Sequence, residues 1–357
     1  MPVAMGETAR RTFVVALVVG GVVVIALVLW KLRLLVALLF LAFIVAAAMR
    51  PGIERLAARR VPRGAGLAIH YLALLALLGA LVGVAVPVAV EQVGNALPEQ
   101  RQELREEARE STGLRHDVLV GVRDALEGIP SSAELVDPEL GLRAVEIGVG
   151  ILFVLASAAY WVFERDRALD LVASLLPRRN RRTVRATWEL IDLKLGAYVR
   201  GQGLLIVLVA AVLSAVFWAI GLPYWLLVGT FAGVVEIVPV IGPLAAGALA
   251  VGVGLTESLT VAVLAGVAVL VVRLVEDYVV IPRVLGDAVG LSPLLVLVSV
   301  SATALLFGEF AVLLAIPLAA VVATLVDVVV LDKDPEEEDV PTVLFPAKDV
   351  ETTSAGG

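Results

Sequence analysis

Residues 221–254 read GLPYWLLVGTFAGVVEIVPVIGPLAAGALAVGVG: apolar nearly throughout, with one acid, Glu236, and a break at Pro239-Val-Ile-Gly-Pro243. As one straight helix this stretch would run about 50 Å at ~1.5 Å per residue, against a bilayer hydrocarbon core of about 30 Å. Tilt does not hide the excess. The chain must break or turn back there, and irregular backbone at membrane depth persists only where protein or a water-filled cavity satisfies it. A carboxyl beside such a break points to passage of an ion or polar solute.

Composition sets the same frame. Of 357 residues 60% are hydrophobic, and the mean hydropathy is +0.98. Soluble domains hold about 45–50% apolar residues, so this is an integral membrane protein. Cysteine is absent, which excludes disulfides, thiolate catalysis and Cys-ligated metals; the only histidines, His70 and His116, lie in different segments. Arg10 and Arg11 precede an apolar run, yet residues 12–30 are long enough to span and a second apolar segment follows, so a retained helix is expected rather than a cleaved signal.

Apolar segments fall at 12–30, 34–49, 67–90, 144–163, 203–220, 222–254, 259–280 and 292–330. The expected fold class is all-α: a polytopic membrane protein of about eight transmembrane helices, two C-terminal segments being Pro/Gly-broken or re-entrant. Its parts are 1–90, three helices; 91–143, an extracytoplasmic amphipathic helical segment; and 144–200, a fourth helix and a basic cytoplasmic interfacial helix. A transport core at 201–331 and a disordered acidic cytoplasmic tail at 332–357 follow. Orientation comes from Lys and Arg near helix ends. The loop 50–66 carries five Arg against Glu54, and 164–200 carries nine basic residues, so both face the cytoplasm. Residues 91–140 hold twelve acids and five Arg, which places them outside and both termini inside. In 177–200, Trp188, Ile191, Leu195 and Tyr198 recur at helical spacing after a basic start, the pattern of a helix on an anionic leaflet or of a plain connector.

Ionisable groups within spans cost about 2.5–3.5 kcal/mol at the centre on insertion scales, so they mark function or a neutralised structural contact. Glu236 is the clearest, with Pro239, Gly242 and Pro243 beside it. Each proline lacks an N–H and is expected to free a carbonyl one turn earlier. A carboxyl and free carbonyls suit a cation, a proton or a polar solute; a protonated Glu236 bonded to the broken backbone is the structural alternative. Arg273 stands at helical spacing from Glu276 and Asp277, two acids for one base. The long segment 291–330 repeats the pattern of interruption with Pro293, Gly308, Glu309 and Pro317; Glu309 is either a site residue or an exposed turn residue. No Gly-x-Ser-x-Gly, His-Glu-x-x-His or phosphate-cradling loop occurs, which argues against an enzyme and against ATP hydrolysis by this chain.

Tyr198-Val-Arg-Gly-Gln202, Gly221-Leu-Pro-Tyr224, Val238-Pro-Val-Ile-Gly-Pro243, Ile281-Pro-Arg-Val-Leu-Gly286, Gly290-Leu-Ser-Pro-Leu294 and Ala315-Ile-Pro-Leu318 follow in an order and spacing that resembles the AI-2E family of membrane transporters, also described as PerM-like permeases. The resemblance covers residues 198–320 in sequence and the first half only in layout. It implies a homo-oligomeric carrier, a pentamer being one candidate assembly, and it adds Gln202, Pro282 and Gly286 to the positions of interest. Members are linked to export of autoinducer-2 and some to sodium–proton antiport. This chain departs from the family pattern: Glu236 and Asp277 stand near places where an Asn is common, and the Gly-x-x-Gly turn reads Gly308-Glu-Phe-Ala311. More acid in the core favours cation coupling.

The expected function is thus an AI-2E-like secondary transporter in the cell membrane, exporting a small polar solute or a cation and coupled to H+ or Na+. Glu236, Glu276, Asp277, Arg273, Gln202 and Glu309 are the expected binding residues. Pro239, Gly242, Pro243, Pro282, Gly286, Pro293, Gly308 and Pro317 are the expected breaks. No cofactor, metal or nucleic acid is expected; the partners are lipid, the solute, H+ or Na+, and further copies of the chain. The alternatives are a membrane scaffold or receptor that binds a partner through its outer segment, and a passive channel.

Overall fold

The computed structural model describes residues 13–21, 30–77, 138–238, 241–281 and 293–338, with a few isolated positions besides. Every regular element among them is helical. Of the expected outer segment 91–143, residues 91–137 lie outside the described residues, as do the tail beyond 340 and Pro239, Pro282 and Gly286. Nine helices are used below: α1 (Arg33–Ala58), α2 (Arg63–Leu77), α3 (Pro138–Ser174), α4 (Arg181–Ala219), α5 (Trp225–Val235), α6 (Ile241–Glu257), α7 (Leu259–Val275), α8 (Pro293–Phe307) and α9 (Ala315–Val329). A π-helical turn, Glu276–Val280, extends α7, and a 3-10 helix, Glu309–Leu314, joins α8 to α9. Among the described residues five stretches are long and apolar enough to cross a membrane: Arg33–Ala58, Val145–Ser174, Arg178–Ala219, Leu259–Val280 and Phe310–Val329.

Helix boundaries differ from the sequence reading: α3 runs from Pro138 to Ser174 where a span at 144–163 was expected, and two further differences concern α1 and α4. The first basic loop was expected from Arg50, but α1 runs on through Pro51 to Ala58. Proline leaves the carbonyl four residues back without its donor, here that of Ala47. Gly196 of α4 sits against that carbonyl so tightly that a Cβ would come under 3 Å, and Arg200 donates to the neighbouring carbonyl of Ala48 at 3.2 Å. Neighbouring protein thus covers the weakened turn. The second difference is α4, one 39-residue helix across a stretch read as an interfacial helix followed by a span. No proline or helix-stopping glycine conformation separates the two, and the helix runs about 58 Å at ~1.5 Å per residue.

Helix α4 is the element on which the others assemble. Its later half places Leu205, Val209, Leu213 and Phe217 on one face, and the last three pack with Val228 and Ala232 of α5, Ala246 and Ala250 of α6, and Ala265 and Val269 of α7. Its earlier half packs Ile191 and Leu195 on Ala37, Ile44 and Ala47 of α1 and on Leu314. Between apolar helices in lipid, close packing replaces hydrophobic burial as the attraction, and small residues permit it. Gly229 lies against Ser214, and Gly233 against Ile206 and Ala210, so that α5 runs antiparallel to α4; a Cβ on either glycine would come under 3 Å of α4 atoms. The turn between them uses Gly221 at φ 75°, with Leu222 N donating to Phe217 O and Gly221 N to Trp218 O, the Schellman pairing that closes a helix end. Large apolar side chains remain exposed along α7, among them Val263, Leu270 and Leu274, which suits contact with lipid tails.

The over-long segment does break. Helix α5 ends at Val235, Glu236–Val238 form a turn, and α6 begins at Ile241 and packs on α5. Gly242 is pressed onto the carbonyl of Val235, with no room for a Cβ. Pro243 differs from expectation. It occupies the first turn of α6, where N–H groups have no intrahelical acceptor in any case, so it starts a helix rather than freeing a carbonyl within one. Pro293 likewise is the first residue of α8 and Pro317 the third of α9. The second long segment is divided at Gly308, whose φ of 94° ends α8 in a conformation that favours glycine.

Candidate functional site

The break between α5 and α6 is tied to the end of α7 through Arg273. One guanidinium nitrogen, Nη1, meets Glu236 Oε1 at 2.6 Å and Glu276 Oε2 at 3.5 Å; the other, Nη2, meets Asp277 Oδ1 at 2.9 Å. Gln202 of α4 donates from Nε2 to the backbone oxygen of Glu236 at 3.1 Å, so a third element holds the turn. Glu236 and Glu276 are buried, Arg273 is part-buried and Asp277 is at the rim. Arg273 and Asp277 are four residues apart, and Arg273 and Glu276 three, which brings them together on one face. Winding at 276–280 then changes to π, and Glu276 turns inward at 3% exposure while Tyr278 is 78% exposed. Such π-turns displace side chains from the regular helical course and recur at functional sites.

Three carboxylates converge on one cation. Like charges 4 Å apart repel by about 4 kcal/mol at an effective dielectric near 20, so a single arginine does not balance the set. Glu276 Oε1 is buried with no hydrogen-bond partner among the described residues. The chemistry this suits is uptake of a proton or a cation at the carboxylates, or capture of a polar solute that bonds the spare oxygen. Among the described residues no group of three His, Cys, Asp or Glu is arranged to hold a metal ion. Glu309 opens the 3-10 helix after Gly308, on the segment between α8 and α9 rather than at the α5–α6 turn.

A second charged region, not singled out in the sequence, lies on the first half of α4, before Gln202. Asp192 is buried and accepts from Arg50 Nη1 at 3.1 Å and from Arg165 Nε at 2.5 Å. Lys194, also buried, donates to Thr324 Oγ1 at 3.3 Å and to Glu338 Oε1 at 2.5 Å. Trp161, which shares a small pocket with Asp192, stacks on Trp188 with centroids 5.7 Å apart, and Phe43 meets both rings edge to face. The only signal in the sequence is that Asp192 and Lys194 interrupt the apolar stripe of Trp188, Ile191, Leu195 and Tyr198. Beyond α9, Lys333 pairs with Asp327 at 2.8 Å, and that hydrogen bond raises its pKa above the ordinary lysine value.

Long apolar helices, glycine-mediated packing and a charged network among interrupted segments define a polytopic helical membrane protein. Residues 19–331 match the family model described as AI-2E family transporter, and the chain belongs to that family. Among similar proteins, "Putative transport protein YrrI" of Bacillus subtilis (strain 168) is 26% identical over 51% of this chain and 52% of its own length. "Putative transport protein YueF" of the same organism is 28% identical over 46% of this chain and 44% of its own. The chain thus spans about half the length of the relatives it matches.

Proposed function

We propose that this chain is a secondary transporter that moves a small polar solute, of the autoinducer-2 kind, or a cation out of the cell, coupled to H+ or Na+. Membership of a transporter family supports the class, as do relatives named for transport. The observation that carries the coupling is the sharing of one arginine by Glu236, Glu276 and Asp277 at a helix break. Binding of a proton or Na+ to one carboxylate weakens its hold on Arg273 and lets the guanidinium turn to the other two. Because Glu236 ends α5 and Arg273 stands on α7, that change of partner alters how the broken segment sits against α7 and α4. In the proposed arrangement the basic loops and both termini face the cytoplasm and the chain works as a homo-oligomer.

The test is ion-driven flux in proteoliposomes. Glu236→Gln keeps the shape and a hydrogen-bond acceptor but removes the titratable charge. Gradient-driven flux is expected to fall by about tenfold or more, the loss of roughly 1.4 kcal/mol of coupling. Equal flux in wild type and variant would remove Glu236 from the mechanism.

A further inference from the structure

α1, the first half of α4 from Arg181 to Arg200, and the segment after α9 line an open cavity of about 1110 Å³. Seven arginines and five carboxylates line it, and two of those carboxylates, Glu336 and Glu338, come from the segment after α9. Arg182 binds Glu336 through two nitrogens, Nε to Oε1 at 3.0 Å and Nη2 to Oε2 at 2.6 Å. Arg185 pairs with Asp170 at 2.5 Å. Among the described residues Arg181 donates only to neutral carbonyls, Leu176 O at 3.1 Å and Ser174 O at 3.2 Å, and meets no counter-ion. Arg178 has no hydrogen bond or ion pair among the described residues. The forked contact of Glu336 on Arg182 is the geometry arginine also offers to a phosphate, which carries more charge and more acceptor oxygens than a carboxylate.

We propose that this cavity is a binding site for a phosphate-bearing anion, held by Arg178, Arg181 and Arg182, and that Glu336 occupies part of it as an internal competitor. Two features set it apart from an ordinary solvated basic face. The arginines surround a cavity of molecular size, and an acidic segment of the same chain already uses one of them as an anion clamp. An arriving phosphate gains Arg178 and Arg181, which have no counter-charge among the described residues, and takes Arg182 from Glu336. The phosphate is either that of a soluble polyvalent anion or that of a lipid headgroup, and the same side chains serve both. This site is independent of the Glu236 network and of any transported solute.

Binding is measured on the full-length protein in neutral detergent at low ionic strength, by calorimetric titration with inorganic pyrophosphate. In parallel, thermal shift is followed on addition of phosphatidylglycerol or of zwitterionic phosphatidylcholine. The variants are R178Q/R182Q and E336Q. All three side chains are exposed, so the fold tolerates them. Saturable pyrophosphate binding, weakened about tenfold or more in R178Q/R182Q and strengthened about two- to fivefold in E336Q, supports a site for soluble phosphate; the smaller factor is that of an exposed ion pair. The same variant pattern with phosphatidylglycerol, absent with phosphatidylcholine and pyrophosphate, supports a lipid headgroup. No saturable effect of either anion, or equal affinity in R178Q/R182Q, overturns the site. Unchanged affinity in E336Q overturns the competition by the tail.

Discussion

At the scale of single residues, Arg273 and Glu236 are not equivalent partners, although they share a 2.6 Å contact. Removing the guanidinium leaves three carboxylates without a cation, whereas neutralising Glu236 lowers an excess of negative charge. Truncating one member of a buried pair costs about 3–5 kcal/mol, mostly because the other charge is stranded. Arg273→Ala is therefore expected to destabilise the detergent-solubilised protein by about 3 kcal/mol, and Glu236→Gln by less than about 1 kcal/mol. Thermal unfolding of the two variants at neutral pH checks this, and similar losses for both would contradict a three-to-one network. Part of the site is legible in the sequence, because the spacing of Arg273, Glu276 and Asp277 obliges them to meet on any helix. The link from Glu236 to Arg273 joins residues 37 apart. It depends on how α5 and α7 are placed about α4, which no local pattern encodes.

For the elements, the packing of α5 on α4 turns on the absence of side chains. A methyl group on Gly233 would come under 3 Å of the Ile206 carbonyl and of Ala210, and both obstacles are on a rigid helix. Gly233→Ala is expected to force α5 away and cost about 1–3 kcal/mol, the usual range for overpacking. Gly247→Ala on α6 is the control. Its Cβ would meet only Val269 Cγ1 at 3.7 Å, ordinary contact, so the lower backbone freedom of alanine is expected to stabilise by about 0.5–1 kcal/mol. Opposite shifts in melting temperature would confirm that α4 and α5 touch through backbone; a tolerated Gly233→Ala would refute it. Helix existence is readable from apolar length, and the need for a break within 221–254 from a length no bilayer accommodates. Its place is not, since the expected break at Pro239–Pro243 falls at Glu236–Val238 and Pro243 lies inside α6. Nor is helix extent. Polar residues at 181–200 read as an interfacial segment because the sequence does not show that Asp192 and Lys194 are buried against α1 and the segment after α9. Those tertiary partners let one helix carry charge and still continue.

Across the whole molecule, α4 joins two charged regions. Its Gln202 holds the turn at Glu236, and its Lys194 is held by Thr324 of α9 and by Glu338 beyond it. The segment after α9 therefore acts as a strap, closing the end of the bundle where α1, α4 and α9 meet. Lys194 is 8% exposed and Thr324 offers a single neutral oxygen, so the ammonium depends on Glu338 for its counter-charge. Deleting residues 332–357 strands that ammonium. Because Glu338 keeps a third of its surface in solvent, the expected loss is about 2 kcal/mol, below the range for a fully buried pair. Replacing both members of a buried polar pair by apolar groups is nearly neutral, whereas removing one is not. Lys194→Met placed in the truncated protein should therefore restore most of the lost stability, and in the intact protein it should cost stability by stranding Glu338 instead. Thermal unfolding of the four proteins forms a double-mutant cycle whose coupling term, about 1–2 kcal/mol, belongs to the strap. A cycle with no coupling would mean that the segment after α9 lies on the bundle without holding it.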